Sequence, residues 1–313
     1  MTNELVSIWQ GNEDAPNTFK DAINKITEEK PNIDRPTKQK NSQYTNIVTT
    51  IPVPETTMQI NGEDITYAMV RFNYVVVTDD EDPVPDDGYI IIFSGKSMPI
   101  RYLIDRTSTN AQPILQLLLN NYNRSVMVYD VTRENDADFL FWLFAQYIDI
   151  TSEDSLFGTN LSIANINTVR GSISENITKV TAKSNLDVAN YISVLSFLLE
   201  TDEVDSLGLT IEYNGHVVEI IIERPRVKQK VSVNINSYMG PFDDLNTDDK
   251  ISKVLLLVHM EILPRLRTIY TGQEKDWVAS KRGEFVSTLA TKIKEKVDAQ
   301  VELLSTQLEQ DAE

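Results

Sequence analysis

Residues 65–77 (ITYAMVRFNYVVV) are apolar almost without a break and rich in β-branched and aromatic side chains, which predicts a strand. The Asn61-Gly62 pair just ahead of it predicts a tight turn from a preceding strand. YIIIFSG (89–95) and MPIRYLID (98–105) continue the pattern as a second hairpin or meander. Upstream, Phe19, Ile23 and Ile26 recur at helical spacing within 15–30. KPNIDRPTKQKNSQ (30–43) reads as a linker or surface loop, and DDEDPVPDD (79–87) as an acidic loop.

From about residue 110 the period becomes helical. AQPILQLLLNNY (111–122) and DADFLFWLFAQYI (136–148) flank a short strand, VMVYD (126–130). FLFWLF is apolar all round, which predicts burial between layers, and Asp136 or Asp138 is the expected N-cap. LSIANINTV (161–169) and TKVTAKS (178–184) alternate as half-buried strands, and 186–200 is expected to be helical. LGLTIEY and HVVEIIIE (207–223), joined by Asn214-Gly215, form the clearest hairpin. A helix capped by Thr247, Asp248 or Asp249 follows, with Pro264 expected to end or kink it. A long final helix (275–310) carries Phe285, Leu289, Ile293, Val297, Val301, Leu304 and Leu308 on one stripe, suited to packing on its own domain or on a second subunit.

The fold class these elements predict is α+β: mostly antiparallel sheets with packed helices and a long C-terminal helix. The division expected is an N-terminal α+β domain over 1–150 and a C-terminal one over 151–313, the latter holding the β-hairpin and the C-terminal helices. The absence of cysteine excludes disulfides, thiolate zinc sites and a cysteine nucleophile. No secretory signal opens the chain, and no apolar run approaches the ~20 residues of a membrane helix. A soluble cytoplasmic protein with no direct membrane insertion is expected.

The formal net charge is −18. Residues 215–300 depart from it, with 12 acids against 14 bases. An acidic chain repels nucleic acid at long range, so any nucleic-acid site must be a local basic patch.

Recurring chemical motifs are weak. FSGKS (93–97) lacks the first glycine of a phosphate-binding loop and precedes a strand, so Gly95 and Lys96 read as a hairpin turn. The acids at 79–87 lack a calcium-loop spacing. His216 is expected to be exposed beside its turn and His259 to lie on a core helix. Two histidines and no cysteine disfavour a transition-metal site or a serine triad. Glu212, Glu219 and Glu223 lack a lysine two positions on, as a metal-dependent nuclease would need. No catalytic residue, metal or cofactor is therefore expected.

What remains is cationic. In ERPRVKQK (223–230), Arg224, Arg226, Lys228 and Lys230 alternate and would share one face of a strand, with Pro225 marking an edge. Arg265 and Arg267 on one helix, and Lys281 and Arg282 on the last, complete the candidate nucleic-acid-binding set, arginine being suited to phosphate.

TKVTAKSNLDVANYISVLSFLLETDEVDSLGLTIEY (178–213) resembles the RexA phage-exclusion family of lambdoid prophages. The likeness rests on Lys179, Val180, Ala182 and Lys183, then Ile192 and Leu195, then Asp205, Ser206, Leu207, Leu209 and Ile211. YIIIFSG and NINTVRG sit in comparable order, and the order of elements is similar to that of KwaB-like defence proteins. The resemblance implies an intracellular α+β protein of anti-phage defence that binds DNA as a dimer and works with a protein effector. It transfers no individual functional residue. The function expected is a non-enzymatic component of a defence or exclusion system that binds nucleic acid or a phage nucleoprotein through a local basic face. The alternative is an acidic protein-interaction module, a sensor, adaptor or inhibitor that binds a protein partner and no nucleic acid.

Overall fold

The computed structural model describes residues 3–12, 15–30, 33–36, 41–78, 81–120, 128–130, 137–149, 160–173, 178–183, 192–201, 203–224 and 230–310. It is α+β, with antiparallel strand pairing and a long C-terminal helix. The chain forms two compact units, Met1–Arg133 with Pro241–Glu261 and Glu134–Gly240 with Ile262–Glu313. The first boundary falls before the predicted 150 because helix α3 (Ala137–Asp149) packs on strands of the second unit. No described helix is long and apolar enough to cross a membrane.

In the first unit, strands β1 (Asn3–Gly11), β2 (Ile33–Pro36), β3 (Asn41–Ile60), β4 (Glu63–Thr78), β5 (Glu81–Gly95), β6 (Met98–Ile104) and β7 (Val128–Asp130) form an antiparallel sheet. Their order is β2-β3-β4-β5-β6-β1, with β7 also on β1. Val70, Phe72 and Tyr74 of β4, Ile90 and Ile92 of β5, and Tyr102 and Ile104 of β6 alternate onto one face. There they pack with Ala22 and Ile26 of α1 (Phe19–Thr27) and with Ala111, Ile114, Leu115 and Leu118 of α2 (Ser108–Leu118). The odd-numbered positions of β4 face α5 (Thr247–Leu257): Tyr67 Oη donates to Asp249 at 2.6 Å and Arg71 Nε to Asp248 at 2.9 Å. Burial on both faces is why this strand reads as a continuous apolar run.

The Asn61-Gly62 turn is observed with φ of 53° and 76°, the left-handed values a type I′ hairpin requires. Lys96 and Ser97 turn β5 into β6. Two segments read as loops are strands instead. β2 and the start of β3 occupy 33–36 and 41–43, where an outermost strand tolerates polar residues and Pro36. β5 begins at Glu81, and among the described residues its acidic portion pairs with β4 alone, in register Val76↔Val84 and Tyr74↔Asp86. One free edge there accommodates Pro83 and Pro85, which lack ladder donors.

In the second unit, β8 (Leu161–Ile173), β9 (Thr178–Lys183), β10 (Val204–Tyr213), β11 (His216–Glu223) and β12 (Lys230–Met239) run antiparallel in the order β12-β11-β10-β8-β9. Asn214 and Gly215 turn β10 into β11 with φ of 48° and 81°. α3 lies against β8 and β10, with every residue from Phe139 to Ala145 buried. α4 (Ile192–Glu200) packs on β8 and on α7 (Arg282–Gln310); the rest of the predicted helix, 186–191, lies outside the described residues, as does Asp136.

Asn246, rather than the three residues after it, caps α5: its side chain accepts from Asp249 N at 3.0 Å. Pro264 sits in the first turn of α6 (Leu263–Asp276), directly after a π-turn at Val258–Ile262. The wider turn absorbs the proline's missing donor, so the helical path continues where an end or kink was expected. A second π-turn, Trp277–Lys281, joins α6 to α7.

Candidate functional site

The cationic residues singled out by sequence fall in the second unit, and four of its arginines, Arg224, Arg265, Arg267 and Arg282, lie against separate acids or rings. Segment 223–230 is not one strand: Glu223 ends β11, Lys230 opens β12, and the two are register partners. Arg226 and Lys228 lie outside the described residues. Arg224 follows β11 directly. Its backbone N–H donates to Asp205 O at 2.7 Å, and its guanidinium pairs with Glu203 and lies 3.9 Å from the Asp205 carboxylate. Only 13% of that side chain is exposed. Lys230 faces Glu223, whose carboxylate takes Arg170 at 3.1 Å.

The remaining arginines lie over rings. Arg265 sits 5.3 Å above Tyr213, Arg267 3.7 Å above Phe139, and Arg282 5.1 Å above Phe141 and 3.3 Å from Asp138. Lys281 is exposed at the end of the second π-turn. The acids that hold Arg224 begin β10, and the ring under Arg265 ends it. A ten-residue strand spans ~30 Å, so the set divides between the two ends of the sheet. Arg267 and Arg282 converge on α3.

A second constellation, which no local pattern announces, lies in the first unit. Arg106, just after β6, reaches Asp86 and Asp105, each at 3.0 Å, and Asp87 O. Tyr74 donates to Asp86 at 2.6 Å, Tyr89 to Glu4 at 2.7 Å, and Ser7 to Arg106 O at 2.8 Å. Gly88 makes the space: a Cβ there would stand 2.5 Å from Asp105 Oδ1. The partners come from strands up to 99 residues apart, so sequence spacing carries no signal of them. Burial and the adjoining carboxylates push the Tyr74 and Tyr89 hydroxyls up, keeping them protonated donors. Burial also raises Asp105 to about 6, against the pull of Arg106.

His216, expected to be exposed, is half-buried, with Nδ1 2.6 Å from Tyr238 Oη. His259 lies in the π-turn that links α5 to α6, rather than on the regular helix expected for it. Its Nε2 is buried without a hydrogen-bond partner, and desolvation lowers its pKa to about 4.

Asp105 and His259, both in the first unit, oppose each other with pH. Native Asp105 holds its proton up to about 6, against 3.8 for an unperturbed aspartate, so its contribution to stability falls as pH rises through that window. His259 stays neutral down to about 4 while the unfolded side chain protonates near 6.5, so its contribution rises with pH over nearly the same window. Each amounts to about 3 kcal/mol at full extent. Relative to wild type, Asp105→Asn should steepen the loss of stability between pH 6.5 and 4, and His259→Leu should flatten or reverse it. Urea midpoints across pH test this; parallel shifts of all three curves would disprove it.

Among the described residues no group of three histidine or carboxylate side chains is placed to hold a metal ion. Compared with known proteins, the chain matches no family model and no curated protein.

Proposed function

We propose that the protein acts by contact rather than by chemistry, as the acidic interaction component of an anti-phage defence or exclusion system, docking a protein partner that carries a cationic surface. The resemblance to the RexA family supplies the setting. The observation that carries the mode of action is how the arginines are used. Arg71, Arg106, Arg224 and Arg282 are each held by carboxylates of their own unit, and Arg265 and Arg267 lie on rings. The net charge of −18 is thus displayed as unmatched acid. Its most ordered display is the part of β5 ahead of its pairing with β6, where Asp82, Val84 and Asp87 are exposed, Asp86 being held by Arg106 and Tyr74.

Complementary charge would guide a cationic partner to this edge and fix its register. Asp82→Asn with Asp87→Asn should weaken association with a fluorescent polylysine probe more than the same neutralisation at Asp244 and Glu274. Equal weakening would mean that total charge alone acts and would reject the docking edge.

Nucleic-acid contact is the second reading, favoured by exposed Lys281 and Lys294 within residues 215–300, where bases outnumber acids. Filter binding of duplex DNA across salt separates the two. The acidic-edge reading expects no retention even at low salt. Retention with a steep salt slope, abolished by Lys281→Glu with Lys294→Glu, would replace it.

A further inference from the structure

α7 changes character along its length. Phe285 and Leu289 are buried, the first against Phe141 and Trp277, and the helix packs on α4. From Val297 to Gln307 every residue is exposed, including Val297, Val301, Leu303 and Leu304 at 42–58%. A helical segment this short, with no packed face, is marginal in water. Its charges are also sorted along the axis. Lys292, Lys294 and Lys296 come first, with Glu295 the one acid among them; Asp298, Glu302 and Glu309 follow, and no lysine or arginine lies beyond Lys296.

We propose that this segment is covered by the same segment of a second copy of the chain, running antiparallel. The apolar stripe is palindromic about a point between Gln300 and Val301. Reversing the direction sets Ile293 against Leu308 and Val297 against Leu304, and brings Val301 beside the twofold axis. The same reversal sets Lys292 against Glu309 and Lys296 within one turn of Glu302. Leu308 and Glu309 take their places in this register from the course of the helix, which runs to Gln310. A parallel pair would instead stack lysine on lysine and acid on acid, which disfavours it. One self-complementary patch used twice is the geometry of a closed two-fold dimer. The seam from Ile293 to Leu308 is ~22 Å long, short enough that association should depend on concentration.

This interface is independent of the acidic edge on β5, and its test reads neither partner nor DNA binding. The chain has no cysteine, so single introduced thiols report without background. Val301→Cys, next to the axis, should form a disulfide-linked dimer on mild oxidation. Val297→Cys should not, because its counterpart lies seven residues, ~10 Å, along the axis, beyond the ~7 Å Cα separation a disulfide spans. Sedimentation equilibrium of the unmodified chain should show monomer and dimer in exchange. Lys292→Glu with Lys296→Glu should raise the dimer dissociation constant about tenfold, and adding Glu302→Lys with Glu309→Lys should restore it. A monomer at every concentration overturns the proposal. So does cross-linking of Val297→Cys as readily as Val301→Cys, and so do charge reversals without effect.

Discussion

Replacing Arg106 by leucine is expected to destabilise the first unit by about 3–5 kcal/mol, the range for breaking a buried ion pair from one side. Arg106 is the common partner of Asp86 and Asp105, donates to Asp87 O, and lies 5.7 Å above Phe72. Asp86 keeps the Tyr74 hydroxyl when the guanidinium is lost. Asp105 has no such substitute: its side chain is 13% exposed and its Oδ1 has no donor even in the intact protein. Most of the loss should therefore follow Asp105, and Arg106→Leu with Asp105→Asn should recover about half of it. Trp9 is the tryptophan of this unit, so its fluorescence in urea, with Trp142 and Trp277 changed to phenylalanine, reads the transition. A single-mutant midpoint equal to wild type would show that the network contributes little to holding this end of the sheet together.

In the second unit the largest effect is expected at Phe141, where truncation to alanine should cost about 3–5 kcal/mol. Its ring meets Phe285 edge-on at 5.6 Å, lies 6.3 Å from Trp277, and underlies the Arg282 guanidinium. Phe141 thus fastens the second π-turn and the first turns of α7 to α3, so its loss should free both before the sheet melts. The fluorescence of Trp277 should shift toward that of an exposed indole ahead of the global transition. Phe141→Leu, which keeps most of the volume, should cost no more than about 1.5 kcal/mol. An alanine variant within 1 kcal/mol of wild type would show that α7 is held chiefly by α4.

Strands and helices were legible where one periodicity ruled. The two Asn-Gly hairpins, α1, α3 and the long final helix follow from the pattern of side chains in their own segments. The acidic start of β5 and the polar start of β3 were not legible, because what makes them strands is register with β4 rather than any preference of their own. The one-strand reading of 223–230 was overturned in a related way. Alternation in 223–230 assumed one strand, but the chain changes strand within that run, so shared parity ceased to mean a shared face. The Arg106 network could not be read at all, because proximity there is created by the sheet order. The final helix is the counter-example: its stripe lies within one element, and Val297, Val301 and Leu304 stand exposed on that helix at the spacing the sequence gives them.

The division of the chain also sets an order of events during synthesis. The first unit contains Pro241–Glu261, which supplies α5 and with it the carboxylates of Asp248 and Asp249. Its opening 133 residues therefore leave the ribosome with one face of the sheet bare, and wait for more than a hundred further residues to be translated before α5 can cover it. The second unit waits longer still for α6 and α7. A chain interrupted near 240 would leave both units unfinished, so no truncated product ending there contains one complete unit.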